Sequence, residues 1–116
     1  MLTTKELSEL NRKTPSFGQI EELSISWIKG EPVALALTLR ASDAKPSHAR
    51  LIIRAVGISD LRVFPDKVGY PEIGSLHVRD ISDRGWEGTR YEVFDQEQSE
   101  ALTFYCADLE AEVRTS

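Results

Sequence analysis

Cysteine is almost absent from this chain: Cys106 is the only one in 116 residues. No internal disulfide can form, so the fold must hold by burial, and a cytoplasmic setting is the default expectation. Long apolar runs are missing too. The longest stretch without a charge, Pro32 to Leu39, is eight residues, far short of the roughly 20 a membrane-spanning helix needs. The N-terminus lacks the basic start and apolar stretch of a secretory signal. There are two histidines, His48 and His77, and neither has a His or Cys at metal-ligand spacing, so no metal site is expected. No Gly-rich phosphate loop, nucleophile elbow or metalloprotease helix motif occurs. No catalytic residue and no cofactor are therefore assigned. Basic residues are in deficit, 14 against 19 acids for a net charge of −5. That balance argues against nucleic acid as a partner, because such binding is driven by phosphate neutralisation.

What remains is enough for one domain over 1–116. A 13.0 kDa chain exposes roughly 19,000 Å² when extended and about 6,300 Å² when folded, so about two thirds of its surface is buried. A hydrophobic content of 41% supports such a core without staples.

Only the first 15 residues read as helical. Thr3 and Glu6 fit a capping box, Leu2 and Leu7 fall at the staple positions, and Thr14-Pro15 closes the segment. From residue 19 to 114 the period is two. Leu23, Ile25 and Trp27 alternate with serines, then Val33, Leu35, Leu37 and Leu39 alternate with small or polar residues across a Lys29-Gly30 turn, which is a hairpin pattern. Further strands are expected at Arg50 to Val56, around Leu61 to Phe64, from Ile73 to Ile81, from about Trp86 to Phe94, and from Ala101 to Val113. Loops join them at Ala41 to Ser47 and Pro65 to Gly74, the latter with a Tyr70-Pro71 pair where a cis bond is possible. In the last strand Leu102, Phe104 and Cys106 are even but Leu109, Ala111 and Val113 are odd. One face cannot hold both sets. Either a β-bulge near Ala107-Asp108 adds a residue, the favoured reading, or the strand ends there and another begins. About seven strands with short connections predict an antiparallel β-sandwich with a short N-terminal helix, an open β-barrel being the alternative.

Candidate chemistry is sparse. Cys106 lies in phase with Leu102, which reads as a small buried hydrophobe rather than a nucleophile. Asp80 and Asp83 near Glu87 offer oxygens for calcium, but Arg79, Arg84 and Arg90 interleave with them, so turn capping and charge balance are favoured. Trp86, between Gly85 and Gly88, is either a plug on the core, the favoured reading, or an exposed anchor for a partner. The acids concentrate in 95–112: Asp95, Glu97, Glu100, Asp108, Glu110 and Glu112, without a Lys or Arg.

The run from Ile81 to Val93, ISDRGWEGTRYEV, with Leu102 to Glu110, LTFYCADLE, resembles a group of small uncharacterised bacterial proteins. These share a D-I-S-D-R-x-W-E-G-x-R-Y-x-V stretch and a closing F-Y-C-x-D strand. The build is loosely similar to immunity proteins of bacterial toxin systems. The resemblance implies no catalytic residue. It points to a non-enzymatic protein-binding module, immunity-like or adaptor-like, whose acidic segment (with Trp86) suits a basic protein. The alternative is a small enzyme or ligand-binding domain with a polar site at Asp80, Asp83, Glu87 and Arg90.

Overall fold

The computed structural model describes residues 2–40, 49–63, 76–96 and 102–114. The expected loops at 41–47 and 65–74, and Tyr70-Pro71 with them, lie outside the described residues, as do His48, Glu97 and Glu100. Helix α1 (Thr4–Lys13) opens on the expected box: Glu6 N–H donates to Thr3 Oγ1 at 3.1 Å, and Thr3 N–H to Glu6 Oε1 at 3.0 Å. A 3-10 turn at Thr14–Ser16 carries Pro15 and ends it. Eight strands follow among the described residues: β1 (Gln19–Ile28), β2 (Glu31–Arg40), β3 (Arg50–Val56), β4 (Ser59–Val63), β5 (Leu76–Asp80), β6 (Tyr91–Asp95), β7 (Leu102–Cys106) and β8 (Asp108–Arg114). They form two antiparallel four-stranded sheets, ordered β1-β2-β3-β8 and β4-β7-β6-β5. The fold is the expected sandwich.

Its interior is built from alternation. Leu35, Leu37 and Leu39 of β2, Leu51 and Ile53 of β3, Val78 of β5, Tyr91 and Val93 of β6, and Leu102, Phe104 and Cys106 of β7 are all essentially inaccessible. In β1 the phase slips between Ile20 and Glu22. A bulge there lets Ile20 and the half-buried Leu23 and Ile25 serve one face.

Two strands differ from expectation, and glycine geometry explains one of them. The strand expected from Trp86 begins only at Tyr91, because Gly85 and Gly88 take φ of +70° and +73° and break the extended path. The strand expected from Ala101 to Val113 divides at Ala107. An extra residue is present there, since Ala107 N–H reaches Val56 O at 3.0 Å while Asp108 is Val56's register partner. It does more than bulge the strand. β7 belongs to one sheet and β8 to the other, so Ala107 is a corner of the sandwich.

The partner ribbon turns at the same place. β3 pairs with β8, β4 pairs with β7, and Gly57 lies between β3 and β4 directly against Ala107. A Cβ on Gly57 would come within 2.7 Å of Ala107 Cβ, and Gly57 sits at φ +66°. One doubly bent ribbon therefore joins the two sheets.

The helix is tied to the β5 edge by polar side chains. Asn11 Nδ2 donates to Val78 O, and Val78 N–H donates to Asn11 Oδ1, both at 2.8 Å. The fully buried Thr14 donates its hydroxyl to Leu76 O. Asn11 thus serves β5 as a neighbouring strand would. Leu2 N–H donates to the hydroxyl of the buried Tyr91 at 3.1 Å. These bonds supplement the short apolar face of the helix, from which only Leu10 is fully buried.

Candidate functional site

Strand register decides which side chains face outward. Pairing of His77 with Phe94 and of Phe94 with Thr103 puts them in one row. Arg79, Glu92 and Tyr105 make the next. This outer face carries aromatic rings and guanidinium groups. The His77 and Phe94 rings lie 5.5 Å apart, and the Arg79 guanidinium stands 5.0 Å from the Phe94 ring centre. Arg79 also approaches Glu92 at 3.5 Å. Partial burial and the charge of Arg79 hold His77 below the usual imidazole range.

Trp86 adjoins this face. It is 48% exposed, so it does not plug the core as its sequence context favours; its ring stands edge-on to Tyr105 at 5.4 Å instead. The Arg84 guanidinium lies 5.2 Å from the Trp86 ring. The reason lies in the connection from Asp80 to Tyr91. Ser82 N–H donates to Asp80 Oδ1 at 2.8 Å, a 3-10 turn spans Ser82–Arg84, and left-handed Gly85 swings the next residue out over β7. Ile81 is the residue of this connection that enters the interior. An exposed Trp held by an edge-on Tyr and a stacked Arg has the composition of a binding hot spot. Phe94 lies outside the shared stretches, and Tyr105, though it is the Y of the F-Y-C-x-D strand, is not marked there as a surface residue; both occupy the outward phase of strands whose inward phase is apolar.

The polar site expected at Asp80, Asp83, Glu87 and Arg90 is only partly assembled. Asp80 and Arg90 approach at 3.6 Å. The Asp80 carboxyl is held below its usual range, first by hydrogen bonds from Ser82 and then by Arg90. Arg90 Nε donates to the Tyr91 hydroxyl at 3.2 Å. Asp83 and Glu87 are exposed. No group of three His, Cys, Asp or Glu side chains among the described residues is arranged to hold a metal ion. Asp108 is also near enough to Arg90 to favour the guanidinium's charge. Arg90 therefore links this connection to the start of β8.

The acidic segment does not form one face. Asp95 is fully buried at the end of β6, opposite Leu76, because it falls in the inward phase with Tyr91 and Val93. Glu112 is bracketed by Arg54 at 2.9 Å and Arg114 at 2.8 Å. These bonds, with that from Arg54 first, hold its carboxyl below the usual range. Glu110 projects into solvent, its nearest cation being Arg54 at 3.8 Å. Arg54 on the neighbouring strand and Arg114 on β8 itself thus offset part of the repulsion along Asp108, Glu110 and Glu112.

Cys106 is fully buried, and burial first, then the charge of Asp108, pushes its thiol up from 9.0 to about 12. A thiol reagent should label it only once urea opens the fold. The neutral thiol is favoured in the folded state and ionises near pH 9 in the unfolded chain. Its contribution to stability is therefore complete below pH 9 and declines towards about 12. A Cys106→Ala variant should lack that part of the alkaline decline, as urea titrations across the pH range would register.

A family model described as immunity protein PIM8 matches residues 2–112. No curated protein and no solved structure matches the chain. No helix among the described residues is long and apolar enough to cross a membrane.

Proposed function

Since the chain belongs to the PIM8 immunity protein family, we propose that it acts without catalysis, by binding a partner protein of the kind such proteins neutralise. The observation that carries the reading to a surface is the exposed Trp86, fixed between Tyr105 and Arg84. Aromatic side chains lose little freedom on binding and bury much area, and Trp, Tyr and Arg dominate interface energetics. Arg90 and Asp108 continue this surface to Glu110 at the margin of β8, and there the complement on the partner is basic.

Affinity capture from a bacterial lysate at low and high salt, with mass spectrometry, identifies the bound protein. The expectation is a protein whose expression alone arrests growth and whose co-expression with this chain does not. Trp86→Ala should weaken that complex about ten- to thirtyfold, with the fold intact by circular dichroism. Association should slow as salt rises, because screening shortens to about 8 Å at physiological ionic strength. A captured protein that is harmless alone, or that binds Trp86→Ala as tightly as wild type, defeats the reading.

A further inference from the structure

Arginine is used differently on the two sheets. In the β1-β2-β3-β8 sheet its donors are engaged within the chain: Arg40 bonds to Gln19 at 2.8 Å, Arg50 to Glu21 at 2.7 Å and Arg54 to Glu112 at 2.9 Å. Over the outer face of the β4-β7-β6-β5 sheet they are not. Among the described residues, neither Arg79 nor Arg84 donates a hydrogen bond. Arg84 also has no carboxylate within ion-pair distance among them, although the exposed Asp83 and Glu87 belong to the same connection. Each guanidinium is laid against a ring instead, Arg79 against Phe94 and Arg84 against Trp86. Stacking fixes the guanidinium plane and leaves its N–H fork open, the geometry that grips a carboxylate through two parallel bonds.

The rest of this face has the same character. The Tyr105 hydroxyl and the His77 ring make no hydrogen bond among the described residues. At the far edge Arg62 shares the row of Thr103 and Phe94 and approaches Asp60 only at 3.7 Å. The carboxylate in the Arg79 row, Glu92, does not compete for a partner. Its side chain is 17% exposed, and Oε1 is enclosed 3.5 Å from Arg79 without a hydrogen bond. It balances the charge of Arg79 and leaves the donors of that half-exposed guanidinium unused. The face therefore offers donors around an aromatic floor, with the carboxylate between them sealed.

We propose that this face binds an acidic segment of the partner protein. Arg79 and Arg84 grip its carboxylates, and an apolar residue between them packs on Trp86, Tyr105 and Phe94. The proposal rests on the protein-binding reading above and gives the partner's chemistry at Trp86. A polypeptide suits the face better than a nucleic acid, because the net charge of −5 and the acids Asp83 and Glu87 oppose a continuous phosphate backbone. Separated carboxylates meet the two forks without that opposition. With a basic complement at Glu110, contacts of opposite sign then set the partner's orientation.

The test uses the whole chain at physiological salt with a heptapeptide alternating Glu and Leu. The NMR signals of the Arg79 and Arg84 Nε–H groups and of the Trp86 indole should move together as peptide is added. The counterpart with Gln in place of Glu should bind about tenfold more weakly. Arg84→Gln breaks no ion pair and should lower peptide affinity about fivefold. Arg79→Lys keeps a charge beside Glu92 but loses the fork, and should lower it about threefold. Arg40→Gln, on the other sheet, should leave it unchanged. Absence of binding at millimolar peptide, equal binding of the Gln counterpart, or unchanged affinity in both arginine variants overturns the proposal. Tighter binding of heptathymidylate than of the Glu peptide overturns it as well, and assigns the face to single-stranded nucleic acid. The captured protein separates this proposal from the reading beneath it. If a protein that arrests growth binds the Arg79→Lys, Arg84→Gln double variant as tightly as wild type, acidic docking fails and partner binding stands. If the captured protein is harmless alone but loses affinity for the double variant, the immunity reading fails and acidic docking stands.

Discussion

Gly57→Ala is expected to destabilise the fold by about 2–5 kcal/mol, read from the urea midpoint. Two costs combine. The new methyl meets Ala107 Cβ at 2.7 Å, and forced overpacking costs about 1–3 kcal/mol. A left-handed φ of +66° adds about 1–2 kcal/mol for a residue with a side chain. The contact cannot relax by rotating a side chain, since both atoms are fixed to backbone. Ala107→Gly in the same chain removes the collision and leaves the φ cost. The double variant should therefore be more stable than the sum of the single effects predicts. Strict additivity would show that the close approach is not what excludes a side chain at Gly57.

Asn11→Ala should cost about 2–3 kcal/mol, more than helix propensity alone explains. The side chain satisfies both the N–H and the C=O of Val78, and leaving partly buried groups unpaired costs about 1–3 kcal/mol each, less what water recovers. Asn11→Asp keeps an acceptor for Val78 N–H but offers no donor to Val78 O, so it should fall between. Amide exchange at Val78 should accelerate strongly in the alanine variant and only modestly in the aspartate one. Unchanged protection of Val78 in Asn11→Ala would mean that the helix does not guard this edge.

Asn11 also marks the point where periodicity ceases to inform. An apolar residue declares its burial through its period, so the alternation of Leu35, Leu37 and Leu39, or of Leu51 and Ile53, is enough to place most of the core. A polar side chain that stands in for a strand has no period. Its role depends on β5, a strand more than 60 residues away. Asp95 misleads for a related reason. Its charge suggests solvent, whereas its phase with Tyr91 and Val93 points inward, and phase prevails. The parity conflict between Cys106 and Leu109 is visible in the residues, but parity alone cannot distinguish a bulge from a change of sheet. That distinction depends on Gly57 making the matching turn. Trp86 is conspicuous between its glycines, yet its direction is not legible there, because the left-handed Gly85 that turns it outward reads in sequence as ordinary turn chemistry.

The bent ribbon has a kinetic consequence. β1 and β2 are neighbours in the chain, joined through Lys29 and Gly30, so their pairing requires little search. The ribbon instead needs residue 56 to find residue 108, and loop-closure entropy grows with the length of chain enclosed. Neither sheet is complete until that encounter succeeds, since β3–β8 and β4–β7 lie on its two sides. A topology governed by such distant contacts folds slowly, on the order of milliseconds to seconds. Because both sheets depend on the same closure, they should appear and disappear together, giving single-exponential refolding with the hairpin as its earliest local structure.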